Sequence, residues 1–324
     1  MYTSVKIGII GGAGYTAGEL LRILLRHPQA EIVFVHSESH AGQPVWAVHD
    51  DLMGETELRF STSYEPVPEV VFLCTGHGKS AEVLARAGFP ATVRVIDLSM
   101  DYRLAEAGHD FVYGLPELNR DQIRTATHVA NPGCFATCIE VGLLPLAQAH
   151  LLPAEVHITA ITGSTGAGQK PEPTTHFSWR NNNLSVYKPF THQHLPEIRQ
   201  SLRQLQPDLE TTLNFVPVRG DFTRGIFASI YLDTSLSEAE ARALYAAYYQ
   251  DHPFTIMAPS NPHLKQVVNT NKALIWLEKH GEKLLIISMI DNLLKGASGQ
   301  AVQNMNLMTG LPEETGLWLK GVGF

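Results

Sequence analysis

The chain has 324 residues, a net charge of −8, and 44% hydrophobic against 17% charged residues, which suits a globular protein large enough for two domains. The negative charge argues against a nucleic-acid partner and against an anionic membrane surface, because phosphate groups need clustered cations. We expect no membrane span, because no apolar run reaches about 18 residues, and no signal peptide. Three irregularly spaced cysteines favour a reducing, cytoplasmic compartment and predict neither disulfides nor a metal site.

A glycine-rich turn between a strand and a helix opens the chain. Apolar, β-branched residues at 5–10 precede Gly11, Gly12 and Gly14, and helical spacing resumes at 19–25. Strand, glycine turn and helix in this order are typical of a dinucleotide-binding domain, in which the helix N-terminus faces the pyrophosphate. Ala17 stands where the usual fingerprint has its third glycine.

The end of the second predicted strand, at 31–36, bears on the choice of coenzyme, because the residue there usually meets the adenosine ribose. An acidic residue at this point would select NAD. The chain has Ser37 and Ser39, whose small hydroxyls can accept the 2′-phosphate of NADP, with Glu38 between them. Adjacent residues of an extended chain point oppositely, so both serines can face the ribose while Glu38 faces away. We therefore predict a preference for NADPH over NADH.

The predicted elements change in kind near residue 134. Up to about residue 130, strands and helices alternate, which predicts an α/β fold with a Rossmann-type, doubly wound parallel sheet. Later strands, among them a hairpin around Gly281, predict an α+β domain with a mainly antiparallel sheet. We expect a last helix to rejoin the first domain. The expected domains are 1–133 with 294–324 for NADP, and 134–293 for catalysis and oligomerisation.

Cys134 is the first candidate for chemistry. Pro132 and Gly133 interrupt the preceding structure, and helical spacing begins at Cys134. At a helix start, unpaired N–H groups and the positive end of the helix dipole both favour the thiolate, which is the nucleophilic form. A buried structural cysteine is the alternative on this pattern alone.

His192 and His194 form the second candidate group. Pro196 suits the first turn of a following helix, which would leave His194 near the N-cap. The two histidines are two residues apart and point oppositely on an extended segment. We favour His194 as the acid/base, with His192 contacting substrate or cofactor. A dinucleotide, a thiolate and a histidine together indicate hydride transfer through a thioester.

The chain resembles the N-acetyl-γ-glutamyl-phosphate reductase family of arginine biosynthesis over nearly its full length. The resemblance is carried by the segments 11–16, 96–103, Asn131–Cys134, 163–168, 192–198 and 291–297. It implies Cys134 as nucleophile, His194 as acid/base, a two-domain fold, and a homodimer or homotetramer. It also implies NADP bound by the following residues: Gly11, Gly12, Ala13, Gly14, Tyr15, Thr16, Ser37 or Ser39, and Asn292, Lys295 and Gly296.

Substrate recognition must come from local donors, because an acidic protein gives an anionic acyl phosphate no long-range attraction. The candidates are Ser164, the N–H groups of the loop around Gly166, Lys170, Arg219 and Arg224. Arg224 is favoured for the substrate carboxylate because its planar fork suits bidentate binding, and the alternative is a surface arginine paired with Asp221. Gln169 stands where the family commonly has arginine, which leaves Lys170 as the nearby cation.

Four other functions stay open on the sequence. Aspartate-semialdehyde dehydrogenase shares the chemistry, but the Cys134 and His194 motifs fit it less well. A carrier-linked aminoadipyl-phosphate reductase, or an enzyme for a succinylated substrate, would need only a differently shaped pocket. A nucleotide-sensing regulator would keep the glycine turn without needing either motif.

Overall fold

A computed structural model of the chain describes residues 4–105 and 108–323. These residues form two compact units. The first unit comprises the described residues up to Pro132 together with Ala297–Trp318, and the second comprises Gly133–Gly296 with the residues from Leu319 onward.

The strands and helices follow one another along the chain, with longer connections such as 37–59 that contain only 3₁₀ turns. The strands are β1 Val5–Ile10, β2 Ala30–His36, β3 Phe60–Ser61, β4 Val70–Leu73, β5 Arg94–Asp97, β6 Val112–Tyr113, β7 His128–Ala130, β8 Glu155–Thr162, β9 Ser185–Val186, β10 Thr212–Arg219, β11 Ile226–Asp233, β12 Thr255–Met257, β13 Ala273–His280 and β14 Lys283–Ile290. The α-helices are α1 Tyr15–Leu24, α2 Ser80–Ala87, α3 Pro116–Thr125, α4 Cys134–Gln148, α5 Phe177–Arg180, α6 Leu195–Leu205, α7 Glu238–Tyr249 and α8 Gly299–Met308. Short 3₁₀ turns lie at Val45–Ala47, Asp50–Leu52, Ser164–Ala167, Pro173–Thr175 and Leu264–Gln266, and a π-helix at Leu294–Ser298.

The first unit is built on a seven-stranded sheet in the order β3-β2-β1-β4-β5-β7-β6, with every pairing parallel. All four residues of β4 are buried, as expected for a central parallel strand covered on both faces. Within this unit α8 packs against α3 and α1, and the Ser298 hydroxyl donates to the Thr16 carbonyl at 2.8 Å. The Rossmann-type sheet predicted from the sequence is confirmed.

The second unit is built on a mixed sheet in the order β12-β13-β14-β11-β8-β10-β9. The pairs β8–β10 and β12–β13 are parallel, and the remaining pairs are antiparallel, including the predicted β13–β14 hairpin. Strand β8 alternates between buried residues such as Ile158 and exposed ones such as Thr159, so one face of the sheet forms the core. The prediction of a mainly antiparallel sheet is confirmed.

Helix α4 is the central element of this core, because every residue from Phe135 to Ala147 is buried. Helix α7 is fastened to it by two phenols: Tyr245 donates to the Gly142 carbonyl and Tyr249 to the Val141 carbonyl, both at 2.6 Å. The predicted capping box of Ser237 and Glu240 begins α7. A helix fixed in this way holds its first residue, Cys134, in a defined position.

Several short elements were not predicted: β3, β6, β7, α3 and β9 among them. Strand β7 is only three residues long, which is too short for a periodic pattern. The irregular segment after residue 168 contains α5 and β9, each held by contacts from distant residues. Within residues 4–105 and 108–323, no helix has both the length and the apolar character needed to cross a membrane.

Candidate active site

Cys134 occupies the first position of α4 and is partly exposed. The N-cap, Gly133, is extended (φ −70°, ψ 148°) and, as a glycine, supplies no side-chain cap to the first turn. Burial raises the pKa of the other two thiols, Cys74 and Cys138, to about 12. Cys134 is therefore the cysteine in the setting that favours a thiolate.

His194 is the N-cap residue of α6, as predicted, and its ring lies against Gly133. A Cβ added to Gly133 would be 2.5 Å from Nε2 of His194 and 2.6 Å from Cε1. The ring is buried and also contacts Phe135, with 6.3 Å between ring centroids. Two helix N-termini thus bring the predicted nucleophile and the predicted acid/base to one place.

Glu197, in the first turn of α6, joins these two helix starts. Its carboxylate is 3% exposed and accepts the backbone N–H of Gly133 at 2.9 Å. The same carboxylate lies 4.0 Å from Nε2 of His194. Sequence reasoning gave Glu197 no role, although it lies three residues after His194 in the segment that carries the family resemblance.

His192 points into an aromatic enclosure formed by Phe135, Tyr187 and Phe215, with ring centroids 5.3 to 5.7 Å from its own. Its Nδ1 accepts the backbone N–H of His194 at 3.2 Å. Burial, followed by the charge of Lys188, lowers the pKa of His192 to about 4. His192 is thus a neutral ring that supports the backbone of His194, and its predicted contact to substrate or cofactor stays a prediction.

The segment 291–296 packs against Cys134 through Gly296. The Cα of Gly296 is so close that an added Cβ would be 2.9 Å from the Cβ of Cys134. Asn292 accepts the N–H of Gly225 at 2.7 Å and donates to the hydroxyl of Thr165 at 3.0 Å. Lys295 is completely buried. These three residues were predicted to bind cofactor; here Asn292 and Gly296 support the surroundings of Cys134.

Arg224 donates to Asp291 through Nε (3.1 Å) and Nη2 (3.2 Å). The carboxylate of Asp291 is fully buried and also accepts N–H groups from Asn269, Leu293 and Leu294. Arg224 is thus paired with Asp291 and not with Asp221, and its predicted contact with the substrate carboxylate stays a prediction. The buried carboxylate of Asp291, which pairs with the guanidinium group of Arg224, also accepts backbone N–H groups of the segment 291–296.

The second glycine loop begins with a 3₁₀ turn at Ser164–Ala167. Gly163 lies against the backbone of Thr223, where an added Cβ would be 2.4 Å from the carbonyl oxygen. Ser164 is partly exposed beside this junction, Gly166 is exposed, and Lys170 is exposed farther along the chain. The structure thus places Ser164 and Gly166 on the loop that Asn292 holds, and Lys170 beyond it.

The first unit carries the glycine turn at the end of β1. Gly11 adopts φ +81°, and an added Cβ would be 2.5 Å from the carbonyl oxygen of Cys74. Gly14 is the N-cap of α1, which has no side-chain cap and no acidic residue in its first turn. The N–H groups at this helix start can therefore face a pyrophosphate, with Ala13, Tyr15 and Thr16 around them. Ala17 is completely buried on the inner face of α1.

The residues after β2 are those predicted to meet the adenosine ribose. Ser37 and Ser39 lie together, with their hydroxyl oxygens 3.4 Å apart, and Ser39 is 2.8 Å from Nδ1 of His40. Glu38 instead forms an ion pair with Arg86 at 2.8 Å. The carboxylate is thereby engaged away from the serine hydroxyls.

Two family models match the chain: the semialdehyde dehydrogenase NAD binding domain over residues 6–126 and the semialdehyde dehydrogenase dimerisation domain over 134–292. A protein of Parabacteroides distasonis named N-acetyl-gamma-glutamyl-phosphate reductase is 59% identical over 322 residues, covering 99% of this chain and all of that protein. The chain belongs to the N-acetyl-gamma-glutamyl-phosphate reductase family. Another member, from Flavobacterium johnsoniae, is 54% identical over 326 residues, covering 99% of this chain and all of that protein.

Solved structures support the fold of this family member. Aspartate semialdehyde dehydrogenase II of Vibrio cholerae, complexed with ASA, has a TM-score of 0.75 at 18% identity, covering 95% of this chain and 99% of that chain. Aspartate semialdehyde dehydrogenase of Candida albicans, with NADP, has a TM-score of 0.69 at 13% identity, covering 95% and 99%. At these identities the likeness establishes the architecture alone.

Proposed function

We propose that the chain catalyses the NADPH-dependent reduction of N-acetyl-γ-glutamyl phosphate to the semialdehyde, with release of phosphate, as a cytoplasmic step of arginine biosynthesis. The observation that carries the proposal is the ring of His194 packed on Gly133 directly before Cys134 at the start of α4. High identity to proteins named for this reaction supports the choice of substrate.

Cys134 acts as the nucleophile in the proposed reaction. Its sulfur attacks the acyl carbon, a C–S bond forms, and the C–O bond to phosphate breaks with its electron pair leaving on the phosphate. His194 accepts the thiol proton when the sulfur attacks, and returns it to the thiolate that is released when the aldehyde forms. The nicotinamide cofactor, when bound, supplies the hydride that converts the thioester to the aldehyde and releases the thiolate.

The residues of the first unit fit a phosphorylated dinucleotide. The uncapped start of α1 suits the pyrophosphate, and the pair Ser37–Ser39 suits a 2′-phosphate because Glu38 is bound to Arg86. A comparison of kcat/KM tests this: NADPH should exceed NADH by at least about tenfold. Equal kcat/KM values for NADPH and NADH would contradict the assignment of Ser37 and Ser39 to the 2′-phosphate.

The reaction itself is tested with a set of acyl phosphates. N-acetyl-γ-glutamyl phosphate should be reduced with the highest kcat/KM, ahead of the N-succinyl and carrier-linked aminoadipyl compounds. Higher activity with aspartyl phosphate would move the function to that of the structural neighbours. Wild-type protein that binds NADPH but reduces none of these compounds would favour the nucleotide-sensing alternative.

We propose further that the second unit forms the homodimer contact, or the first contact of a homotetramer. Four exposed apolar side chains of the segment 177–190 support this: Phe177 is 76% exposed, Leu184 60%, Val186 55% and Phe190 59%. A monomer rarely exposes such an apolar group, and the family model that matches this unit is described as a dimerisation domain. The buried Arg180 ties this segment to β10 by donating to the carbonyls of Thr174, Asn183 and Arg219.

The dimer contact is tested by light scattering after size-exclusion chromatography. Leu184→Asp with Val186→Asp should give a monomer, because two charges would have to be buried. Met53→Asp serves as the control, since Met53 is 65% exposed in the first unit. Unchanged association of the Leu184/Val186 variant would exclude this surface.

A further inference from the structure

Arg219, at the end of β10, is stacked on the ring of Tyr187. The register of β9 and β10 pairs Arg219 with Ser185, and Tyr187 donates its N–H to the carbonyl of Pro217 at 3.1 Å. Tyr187 and Arg219 are therefore diagonal neighbours on the same face, within reach of long side chains. The guanidinium carbon lies 4.8 Å from the ring centroid, a cation–π contact.

Arg219 carries a charge that no carboxylate neutralises within residues 4–105 and 108–323. Its Nη1 donates to the hydroxyl of Thr174 at 3.0 Å, which is a neutral partner. The like charge of Arg180 lies close enough to interact unfavourably with it, and Asp221 acts on Arg180 in the opposite direction. Arg224, by contrast, is paired bidentately with Asp291. A half-buried cation without a counter-ion is stabilised by an anionic ligand.

Tyr187 also packs near the start of α4. Its ring is 6.5 Å from that of Phe135, the residue after Cys134, and 5.7 Å from that of His192. Burial raises the pKa of the Tyr187 phenol; the negative charge of Cys134 acts in the same direction, and Arg219 acts in the opposite one. The phenol is therefore neutral and within electrostatic range of both the sulfur and the guanidinium.

We propose that Arg219, oriented by the ring of Tyr187, binds the phosphate group of the acyl phosphate. This inference rests on the proposed function. The phosphate is bonded to the carbon that Cys134 attacks, whereas the substrate carboxylate lies at the far end of the glutamyl chain, so a cation beside Cys134 meets the phosphate. When the C–O bond breaks, its electron pair passes to the phosphate oxygen, and Arg219 stabilises that charge. Tyr187 is a positioning residue, because it acts through Arg219.

The reverse reaction separates the two anions of the substrate, because inorganic phosphate and the semialdehyde are then varied independently with NADP. Arg219→Lys should raise the KM for phosphate at least about tenfold, since a lysine neither stacks nor binds bidentately. The KM for the semialdehyde should stay within about twofold of wild type. Arg203→Lys, at an exposed position of α6, is the matched control and should change neither constant.

Substitutions of Tyr187 test the positioning role. Tyr187→Phe keeps the ring and loses only the hydrogen bond of the phenol with Arg219, so it should raise the phosphate KM less than Tyr187→Leu, which should raise it about as much as Arg219→Lys. The double variant should be no worse than either single variant, because both remove one interaction. Thermal unfolding of each variant checks that the fold is kept.

Three results would overturn the inference. An unchanged phosphate KM in Arg219→Lys removes Arg219 from the phosphate site, and a rise confined to the semialdehyde KM assigns it to the carboxylate. Additive effects on the phosphate KM in the double variant would show that Tyr187 does not act through Arg219. In each of these cases the wild-type enzyme still turns over, whereas wild-type protein without phosphate-dependent turnover would overturn the proposed function itself.

Discussion

The imidazole of His194 fills the space that a side chain at Gly133 would need, because an added Cβ would be only 2.5 Å from Nε2. Gly133→Ala must therefore displace the ring, while Cys134 keeps its place on α4. We expect kcat/KM to fall at least about 100-fold, as for loss of a general acid/base. The measurement is steady-state kinetics, and retained labelling of Cys134 by iodoacetamide would show that the helix start is intact. Near-normal turnover would show that the ring is not needed where the structure places it.

Cys134→Ser should abolish aldehyde formation, because a hydroxyl at this position is a far weaker nucleophile than a thiolate. NADPH binding, measured by fluorescence titration, should be unchanged. Cys138→Ser is the control: Cys138 is completely buried in the same helix, so its loss should leave turnover close to wild type. Substantial turnover by Cys134→Ser would exclude the thioester route.

His194→Asn and His192→Asn should separate the two histidines. His194→Asn should lower kcat by about 10²–10⁴-fold, the range for general acid/base groups. His192→Asn should cost much less, because the amide oxygen can still accept the N–H of His194 that Nδ1 accepts now. A larger loss at His192 would reverse the assignment of the pair.

Glu197→Ala should lower both the free energy of unfolding and the rate of turnover. The N–H of Gly133 would lose its buried acceptor, which costs about 1–3 kcal/mol of the free energy of unfolding. Glu197→Gln keeps an acceptor oxygen and should recover most of that stability. Urea unfolding of the two variants measures the difference, and equal stability of wild type and Glu197→Ala would show that this hydrogen bond contributes nothing.

The lowered pKa of His192 makes stability depend on pH in a defined direction. The unfolded imidazole takes up a proton near its ordinary pKa of 6.5, whereas the folded one does so only near about 4. Stability is therefore complete above pH 6.5 and declines as the pH falls through this window. Between pH 7.5 and 5, wild type should lose about 2 kcal/mol more than His192→Asn, measured by urea unfolding. Equal losses of unfolding free energy in wild type and His192→Asn would mean that the His192 ring is not desolvated in the folded protein.

The sequence alone determined the elements whose signals are local. The glycine turn before α1, the break at Gly133 and the Pro196 that begins α6 each act within a few residues, so the helix starts at Cys134 and after His194 were predicted correctly. Alternation of strands with helices likewise predicted the parallel sheet of the first unit. The coenzyme preference stays a prediction, because it depends on how side chains at a strand end meet a ligand.

Only the tertiary structure decided which side chains surround Cys134. Glu197 accepts the N–H of Gly133, which is 64 positions away in the sequence. Asp291 pairs with the guanidinium group of Arg224, which is 67 positions away. Such partners are chosen by the packing of helices and strands, and no local pattern marks them. Sequence reasoning therefore favoured Arg224 for a substrate anion, whereas the structure pairs Arg224 with Asp291 and gives Arg219 a neutral partner, Thr174. A buried charge is available to a ligand only when no internal group has neutralised it, and packing decides that.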